Sequence, residues 1–188
     1  IEPMTADIVS LTLDVVEPET IEFKSGQYVD LYIPGTEEKR SFSIATTPAT
    51  PDRLEFLIKK YPGGLFAGML TDGLSVGDEI KVNGPYGSCT LRSGHVLPIV
   101  AIGGGAGMAP LLSLLRHISE TGLHRPVRFY YGARRASDLF YLDEIATLGE
   151  KIEDFTFTAC LSDSTDDAPD GVTVAGGNVT DILSLIHI

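Results

Sequence analysis

The chain has 188 residues, and 43% of them are hydrophobic, which is ordinary for one large or two small globular domains. Its formal net charge of -12 argues against nucleic acid and against an anionic membrane surface as the main partner. No apolar run is long enough to span a bilayer and no signal peptide pattern opens the chain, so we expect a cytoplasmic protein.

Neither cysteine belongs to a pair with the spacing of a metal or cluster site. Cys89 and Cys160 lie far apart, and we expect each to be a small buried side chain in a strand, with no metal site in the chain. Because the chain begins with Ile1 rather than methionine, we expect that its N-terminus has been cut.

The first half of the chain has the rhythm of short strands separated by turn residues. Strands are predicted over 8–16, 27–33, 40–45, 53–60 and 79–83, with a short helix over 65–71. Many short strands with glycine and proline between them are typical of an antiparallel barrel or sandwich.

The second half alternates predicted strands and helices. Strands over 96–102, 127–131 and 155–161 are separated by helices over 109–121 and 137–149, and a long loop is predicted over 162–177. This alternation predicts βαβ units with a parallel sheet. The change of rhythm near 92–95 divides the chain into domains 1–94 and 95–188.

The most informative motif is the glycine-rich turn between the first strand and the first helix of the second half. Four of the five residues from Gly103 to Gly107 are glycines, and backbone N–H groups at such a helix start favour a phosphate. The spacing departs from G-x-G-x-x-G/A because Met108 occupies the last position, and a tight turn without a ligand is the alternative. The predicted nucleotide site consists of Gly104, Gly105, Ala106, Gly107 and Pro110.

The third predicted strand carries a second motif, Arg40-Ser41-Phe42-Ser43. Strand alternation places Arg40 and Phe42 on one face and the two serines on the other. An arginine can fork onto a phosphate, and an aromatic ring can stack on a flat heterocycle. The alternative is a surface arginine beside a core phenylalanine.

Three glycine-containing turns add weaker signals: Pro62-Gly63-Gly64, Gly84-Pro85-Tyr86-Gly87 and Tyr131-Gly132-Ala133-Arg134-Arg135. The last ends a strand of the α/β half, where open α/β sheets bind their ligands. Its arginines are placed to contact a pyrophosphate, a ribose or a 2′-phosphate. Ordinary turns and a solvated basic turn are the alternatives.

Taken in their order along the chain, these five motifs resemble those of the ferredoxin–NADP reductase superfamily, and more closely those of the reductase components of bacterial oxygenases. The resemblance covers essentially the whole chain. It implies an antiparallel six-stranded β-barrel that binds FAD over residues 1–94. An α/β domain with a parallel sheet, which binds a nicotinamide nucleotide, would follow over 95–188.

The resemblance also implies roles for individual residues. Arg40 would hold the FAD pyrophosphate, Phe42 would lie against the isoalloxazine, and Ser43 would hydrogen-bond near flavin N5, which makes Ser43 the expected catalytic residue. The turn at Gly63-Gly64 would face the FAD phosphates, and Gly103–Pro110 would bind the nicotinamide dinucleotide pyrophosphate. Further expected cofactor contacts are Ser41, Ile58, Lys59, Leu65, Phe66, Ala67 and Arg134.

The chain departs from the family pattern at several positions. Phe42, Ala67 and Ala106 replace hydroxyl-bearing residues, which we expect to weaken cofactor contacts without abolishing binding. The family's C-terminal Cys-Gly-Pro-Pro-type motif and final strands are absent, so the second domain is expected to be incomplete. Residues 183–188 match one reading frame of a sequencing-library adapter and are expected to be non-native, with a natural apolar strand as the alternative.

The reaction that the resemblance implies is hydride transfer from NADH to FAD, followed by single-electron transfer to a [2Fe–2S] centre and onward to an oxygenase hydroxylase. That centre is expected on a ferredoxin domain upstream or on a separate ferredoxin protein. Residues 53–64 are most similar to reductases of soluble di-iron monooxygenases. A Rieske dioxygenase reductase, a non-catalytic flavin or nucleotide-binding subunit, and NADPH as the donor are the alternatives.

Overall fold

The computed structural model describes residues 1–92, 94–163, 169 and 171–184. Within these residues the first half contains six strands: β1 (Glu2–Pro3), β2 (Ile8–Asp14), β3 (Tyr28–Tyr32), β4 (Lys39–Ser43), β5 (Arg53–Lys59) and β6 (Val82–Tyr86). They form two antiparallel sheets, with the orders β1-β2-β5 and β4-β3-β6, and a bridge between Ile44 and Phe56 joins the sheets. The antiparallel six-stranded architecture that the resemblance implies is confirmed, although β1 was not among the five strands predicted individually.

The core of this half lies between the two sheets. Val29 and Leu31 from β3 and Phe56 from β5 are fully buried there, because alternate strand residues face inward. A short helix, α1 (Leu65–Gly68), continues into a π-helical turn (Met69–Gly73) and adds Phe66 to the same apolar cluster.

Among its described residues, the second half contains a four-stranded parallel sheet with the order β10-β9-β8-β7. Its elements are β7 (Ile99–Gly103), α2 (Met108–Thr121), β8 (Val127–Ala133), α3 (Leu142–Gly149), β9 (Phe155–Leu161), β10 (Val174–Gly176) and α4 (Val179–Ser184). The predicted parallel sheet is confirmed. No helix among the described residues is both long and apolar enough to cross a membrane.

The two halves share one apolar core. Ile8 from β2, Leu57 from β5 and Ala45, which follows β4, are buried in the same cluster as Met108 and Leu112 of α2. Burial of apolar area stabilises by roughly 25 cal/mol per Å². This shared cluster therefore ties α2 to the antiparallel sheets as well as to its own sheet.

Two strands lie elsewhere than the sequence predicts. β7 begins at Ile99 rather than at residue 96, directly after Pro98, and the exposed Val96 and Leu97 precede it. β6 spans Val82–Tyr86 rather than 79–83, so the predicted turn at Gly84 is part of a strand. A Cβ at Gly84 would crowd Val29, so this glycine allows β6 to pack closely on β3.

Three further predictions were wrong in part. The helix predicted over 137–149 begins only at Leu142, after a 3-10 turn at Ala136–Asp138, and the left-handed conformation of Tyr141 separates the two segments. The predicted loop over 162–177 contains the parallel strand β10. Cys89 is exposed and lies outside the strands, whereas Cys160 is buried in β9 as expected.

Candidate cofactor-binding site

The glycine-rich turn connects β7 to α2 at the carboxyl edge of the parallel sheet. β7 ends at Gly103, and a single 3-10 turn, Gly105–Gly107, leads into α2. Close packing explains the first glycines, because a Cβ at Gly103 would overlap Leu111 and a Cβ at Gly104 would overlap the carbonyl group of Gly132. The turn is therefore held tightly between α2 and β8.

Gly107 differs from these glycines, because the packing of the protein does not require it. Its φ is -66°, and a Cβ at this position would meet no atom of the described part of the chain within 4 Å. Among the described residues, no side chain caps α2 at Gly107 and no acidic residue lies in the first helical turn. The N–H groups of Gly107 and Met108 bond to the carbonyl oxygens of Gly104 and Gly105 within the turn. The positive dipole end of α2 and the open space above Gly107 together fit a phosphate group.

Arg40 lies on β4 with its side chain 53% exposed. Its guanidinium pairs with Glu38 at 3.3 Å and donates a hydrogen bond to the carbonyl oxygen of Lys39 at 2.8 Å. Glu38 is equally exposed, and a pair of this kind contributes about 0–1 kcal/mol. Arg40 can therefore exchange Glu38 for a phosphate at little cost.

The hydroxyl of Ser41 is engaged in a charged cluster with Asp30. Asp30 accepts hydrogen bonds from Ser41 Oγ at 2.6 Å and from Lys39 Nζ at 2.7 Å. Lys39 and then Ser41 lower the pKa of Asp30, and Asp30 in turn raises the pKa of Lys39. Ser41 is thus committed to Asp30, and only its remaining acceptor capacity is free for the predicted cofactor contact.

Two of the motifs predicted to hold the flavin meet in space. The rings of Phe42 on β4 and Phe66 in α1 are 4.7 Å apart between centroids, with their planes at 51°. The turn before α1 depends on Gly63, whose φ of +73° is in the left-handed region. Gly64 N–H donates to the carbonyl oxygen of Tyr61 at 2.9 Å. The half-buried Ser43 follows Phe42 directly on β4.

The remaining positions predicted in this half have different environments. Ile58 is only 2% exposed and packs in the core, so a contact between Ile58 and a cofactor would have to come from its backbone. Lys59 pairs with Asp7 at 3.1 Å and lies over the ring of Tyr61. Leu65 and Ala67 belong to α1, beside the glycine pair.

The carboxyl ends of β8 and β9 bring two arginines to an acidic residue. Asp163 Oδ2 lies 3.3 Å from Arg134 and 3.7 Å from Arg135. The backbone holds this arrangement, because Asp163 N–H donates to the carbonyl oxygen of Arg134 at 2.9 Å. The arginines predicted to contact the nucleotide are therefore partly neutralised by a carboxylate.

A buried charged network that the sequence pattern did not predict lies where the two halves meet. Glu55 accepts hydrogen bonds from Arg116 at 2.7 Å, from Ser10 at 3.1 Å and from the hydroxyl of Tyr141. Arg116 also forms a bidentate pair with Glu144, at 2.6 and 2.9 Å. The available signal was Glu55 itself, a charged residue inside the otherwise buried run of β5.

The network shifts the pKa values of its members. Burial opposes ionisation of Glu55, but Arg116, Tyr141 and Ser10 outweigh burial and bring its pKa below the ordinary value. Burial works in the same way against Arg116, whose two carboxylate partners nevertheless raise its pKa. Burial, together with the hydrogen bond to Glu55, raises the pKa of Tyr141 to about 12. Glu55 and Arg116 are therefore charged in the native protein near neutral pH.

Comparison with known proteins gives the two halves separate matches. Residues 1–91 match the oxidoreductase FAD-binding domain, and residues 101–184 match the oxidoreductase NAD-binding domain. The glycine-rich turn thus lies at the start of the nucleotide-binding match.

Several known proteins match nearly the whole length of the chain. The reductase component of propane 2-monooxygenase from Gordonia is 88% identical over 98% of this chain and 53% of that protein. The electron transfer component of toluate 1,2-dioxygenase from Pseudomonas putida is 30% identical over 97% of this chain and 52% of that protein. The crystal structure of a cytochrome P450 reductase from Amycolatopsis superposes with a TM-score of 0.85 at 34% identity, covering 96% of this chain and 54% of that one. The chain spans about half the length of these relatives.

Proposed function

Because the chain belongs to the ferredoxin reductase family and joins a FAD-binding to an NAD-binding oxidoreductase domain, we propose that it is the flavin and nucleotide portion of an oxygenase reductase component. Its activity would be NAD(P)H-dependent reduction of FAD, followed by electron delivery to a [2Fe–2S] centre and an oxygenase. A ferredoxin domain or ferredoxin protein and the hydroxylase component would be the partners.

The observation that carries this proposal is the start of α2. Gly107 leaves open space above N–H groups that no side chain caps among the described residues, and this is the environment that a dinucleotide pyrophosphate needs. Gly104, Gly105, Ala106 and Pro110 would complete the contact. Arg134 would reach the nucleotide from the neighbouring strand end.

The flavin would be held by residues on β4 and around α1. Arg40 would bind the pyrophosphate, the ring of Phe42 would support the isoalloxazine, and the Ser43 hydroxyl would hydrogen-bond near N5. The backbone at Gly63-Gly64 would face the phosphates. When bound, the two cofactors supply hydride transfer and the division of an electron pair into single electrons. The protein would orient the two cofactors. The close contact of Phe42 with Phe66 would fix the position of the ring that supports the isoalloxazine.

We place the partner oxygenase in the monooxygenase class. Identity of 88% to a propane 2-monooxygenase reductase, against 30% to a toluate dioxygenase component, supports this choice, as does the resemblance of residues 53–64 to di-iron monooxygenase reductases. By extension, the hydroxylase would act on a small alkane. A dioxygenase partner is the second candidate. A cytoplasmic location stays a prediction.

NADH is the proposed electron donor. Asp163 lies beside Arg134 and Arg135, so its carboxylate would repel a 2′-phosphate and accept hydrogen bonds from a free ribose. This carboxylate weakens the argument for NADPH that the two arginines alone would make.

The purified protein tests the proposal directly. We expect a yellow protein with bound FAD whose visible absorbance bleaches on anaerobic addition of NADH, and whose electrons pass to a [2Fe–2S] protein. A colourless chain that takes up no added FAD would contradict the proposal. A yellow protein of the same length as the relatives that NADH does not bleach would favour a non-catalytic subunit.

A further inference from the structure

Side chains on one face of α2 form hydrogen bonds with the segment that directly follows β4. The helix side chains on this face are spaced by three and four residues, so they point the same way. Ser113 Oγ donates to the carbonyl oxygen of Thr46 at 2.5 Å, Arg116 Nη1 donates to that of Ala45 at 2.8 Å, and Glu120 accepts from Thr47 Oγ1 at 2.6 Å.

These hydrogen bonds lie close, along the chain, to both the Arg40–Ser43 motif and the glycine-rich turn. Ala45–Thr47 begins two residues after Ser43, at the end of β4, and Ser113 lies in the second turn of the helix that starts after the glycine-rich turn. The turn itself lies near β2, since a Cβ at Gly105 would lie 3.4 Å from Ile8 Cδ1. The segment that follows β4 is therefore hydrogen-bonded to the helix that follows the glycine-rich turn.

Arg116 is the centre of this connection. It bonds across the halves to Glu55 on β5, and within its own half to Glu144 on α3. The side chains of Arg116 and Glu55 are only 15% and 11% exposed, so water competes little for their bond. Satisfied polar networks of this kind fix one geometry, whereas a partly broken network is costly.

We infer that Arg116 and Glu55 are positioning residues. They would hold the glycine-rich turn at the distance from β4 that hydride transfer between the bound cofactors requires. The inference rests on the proposed reductase function. Hydride transfer needs reacting atoms within about 3.5 Å, and a displacement of about 1 Å can cost on the order of 100-fold in rate. The bond between the halves is thus expected to matter for the rate of flavin reduction more than for the binding of either cofactor.

The chain offers a matched pair of variants, Glu55→Gln and Glu144→Gln, which make the same chemical change on the two sides of Arg116. In the full-length reductase, we expect Glu55→Gln to lower the limiting rate of flavin reduction by NADH about tenfold or more. NADH affinity and FAD content should stay within about twofold. Glu144→Gln, which leaves the Arg116–Glu55 bond in place, should keep the limiting rate near that of the wild type.

Hydrogen–deuterium exchange supplies a readout that needs no turnover. Backbone amides of residues 44–47 and 113–120 should exchange faster in Glu55→Gln than in Glu144→Gln. Ser113→Ala, a milder change in the same contact, should give a smaller effect in the same direction if Glu55→Gln fails to fold. Equal rate losses in the two glutamine variants, or a Glu55→Gln protein with wild-type rate and exchange, would overturn the inference. A wild-type protein that NADH does not reduce would instead refute the proposed function, and exchange would still test the connection.

Discussion

Arg40 is held so loosely that its role can be tested without disturbing the fold. Its ion pair with Glu38 is about half exposed, and its other bond is to a neighbouring carbonyl group. Arg40→Ala should therefore weaken FAD binding by about tenfold or more, the value of a lost charge-assisted hydrogen bond. The melting temperature of the FAD-free protein should stay nearly unchanged.

Flavin occupancy after purification and titration of the protein with FAD measure this effect. Arg53→Ala is a suitable control, because Arg53 also forms an exposed ion pair, with Asp14 at 3.1 Å, in the other antiparallel sheet. Unchanged FAD affinity in Arg40→Ala would contradict the assignment of Arg40 to the FAD pyrophosphate.

The Asp163 carboxylate is expected to set the preference of the protein for NADH over NADPH. Removing its charge in Asp163→Asn frees Arg134 and Arg135 to attract a 2′-phosphate, so kcat/KM for NADPH relative to NADH should rise by about tenfold. Asp154→Asn is the matched control, since Asp154 pairs with Arg128 at 2.7 Å near the opposite end of the same strands. A ratio that stays at the wild-type value in Asp163→Asn would remove Asp163 from donor selection.

At the scale of a single element, the turn before α2 separates packing from binding. Gly104→Ala should destabilise the protein by several kcal/mol, because the new Cβ would overlap the carbonyl group of Gly132. Gly107→Ala has room for its methyl group and an ordinary φ, so its melting temperature should not fall, yet its affinity for the nicotinamide nucleotide should drop about tenfold.

Thermal unfolding and nucleotide titration of the two alanine variants distinguish these effects. If Gly107→Ala binds NADH as the wild type does, the phosphate is not bound at this turn.

The elements that could be predicted from sequence are those with a local signal. The α2 start was predicted within one residue because glycines followed by Pro110 mark a strand-to-helix turn, and β9 was predicted at its observed bounds from an apolar run. β6 was displaced because Gly84 is a packing glycine and not a turn residue. β10 was missed because a strand of three residues is too short to show a periodicity of its own.

The same distinction between local and long-range signals applies to the candidate site. Motifs that are contiguous in the chain, such as Arg40–Ser43, could be recognised, whereas the contact between Phe42 and Phe66 could not be derived from spacing. The network around Arg116 was missed for the same reason, since Glu55 lies 61 residues away in sequence. Long-range pairs of opposite charge leave no periodic trace in one sequence.

At the scale of the whole molecule, Glu55 links stability to pH. Its native pKa lies below the ordinary value of 4.5, so the stability it contributes is fully present above pH 4.5 and is lost as the pH falls through the native pKa. Glu55→Gln should cost about 1–3 kcal/mol near pH 7, and the difference from the wild type should narrow progressively below pH 4.5.

Urea denaturation at a series of pH values checks this prediction. A stability difference that is constant from pH 7 down to pH 3, or that widens on acidification, would show that the charge of Glu55 is not what stabilises the junction.

The shared core has a consequence for exchange of parts between related reductases. Ile8, Ala45 and Leu57 lie in one apolar cluster with Met108 and Leu112, so each half carries part of the other's interior. A hybrid that joins the first half of one relative to the second half of another must match these surfaces, in shape and in the Arg116–Glu55 pair, to fold. The two halves of this molecule are separate in sequence but must change together.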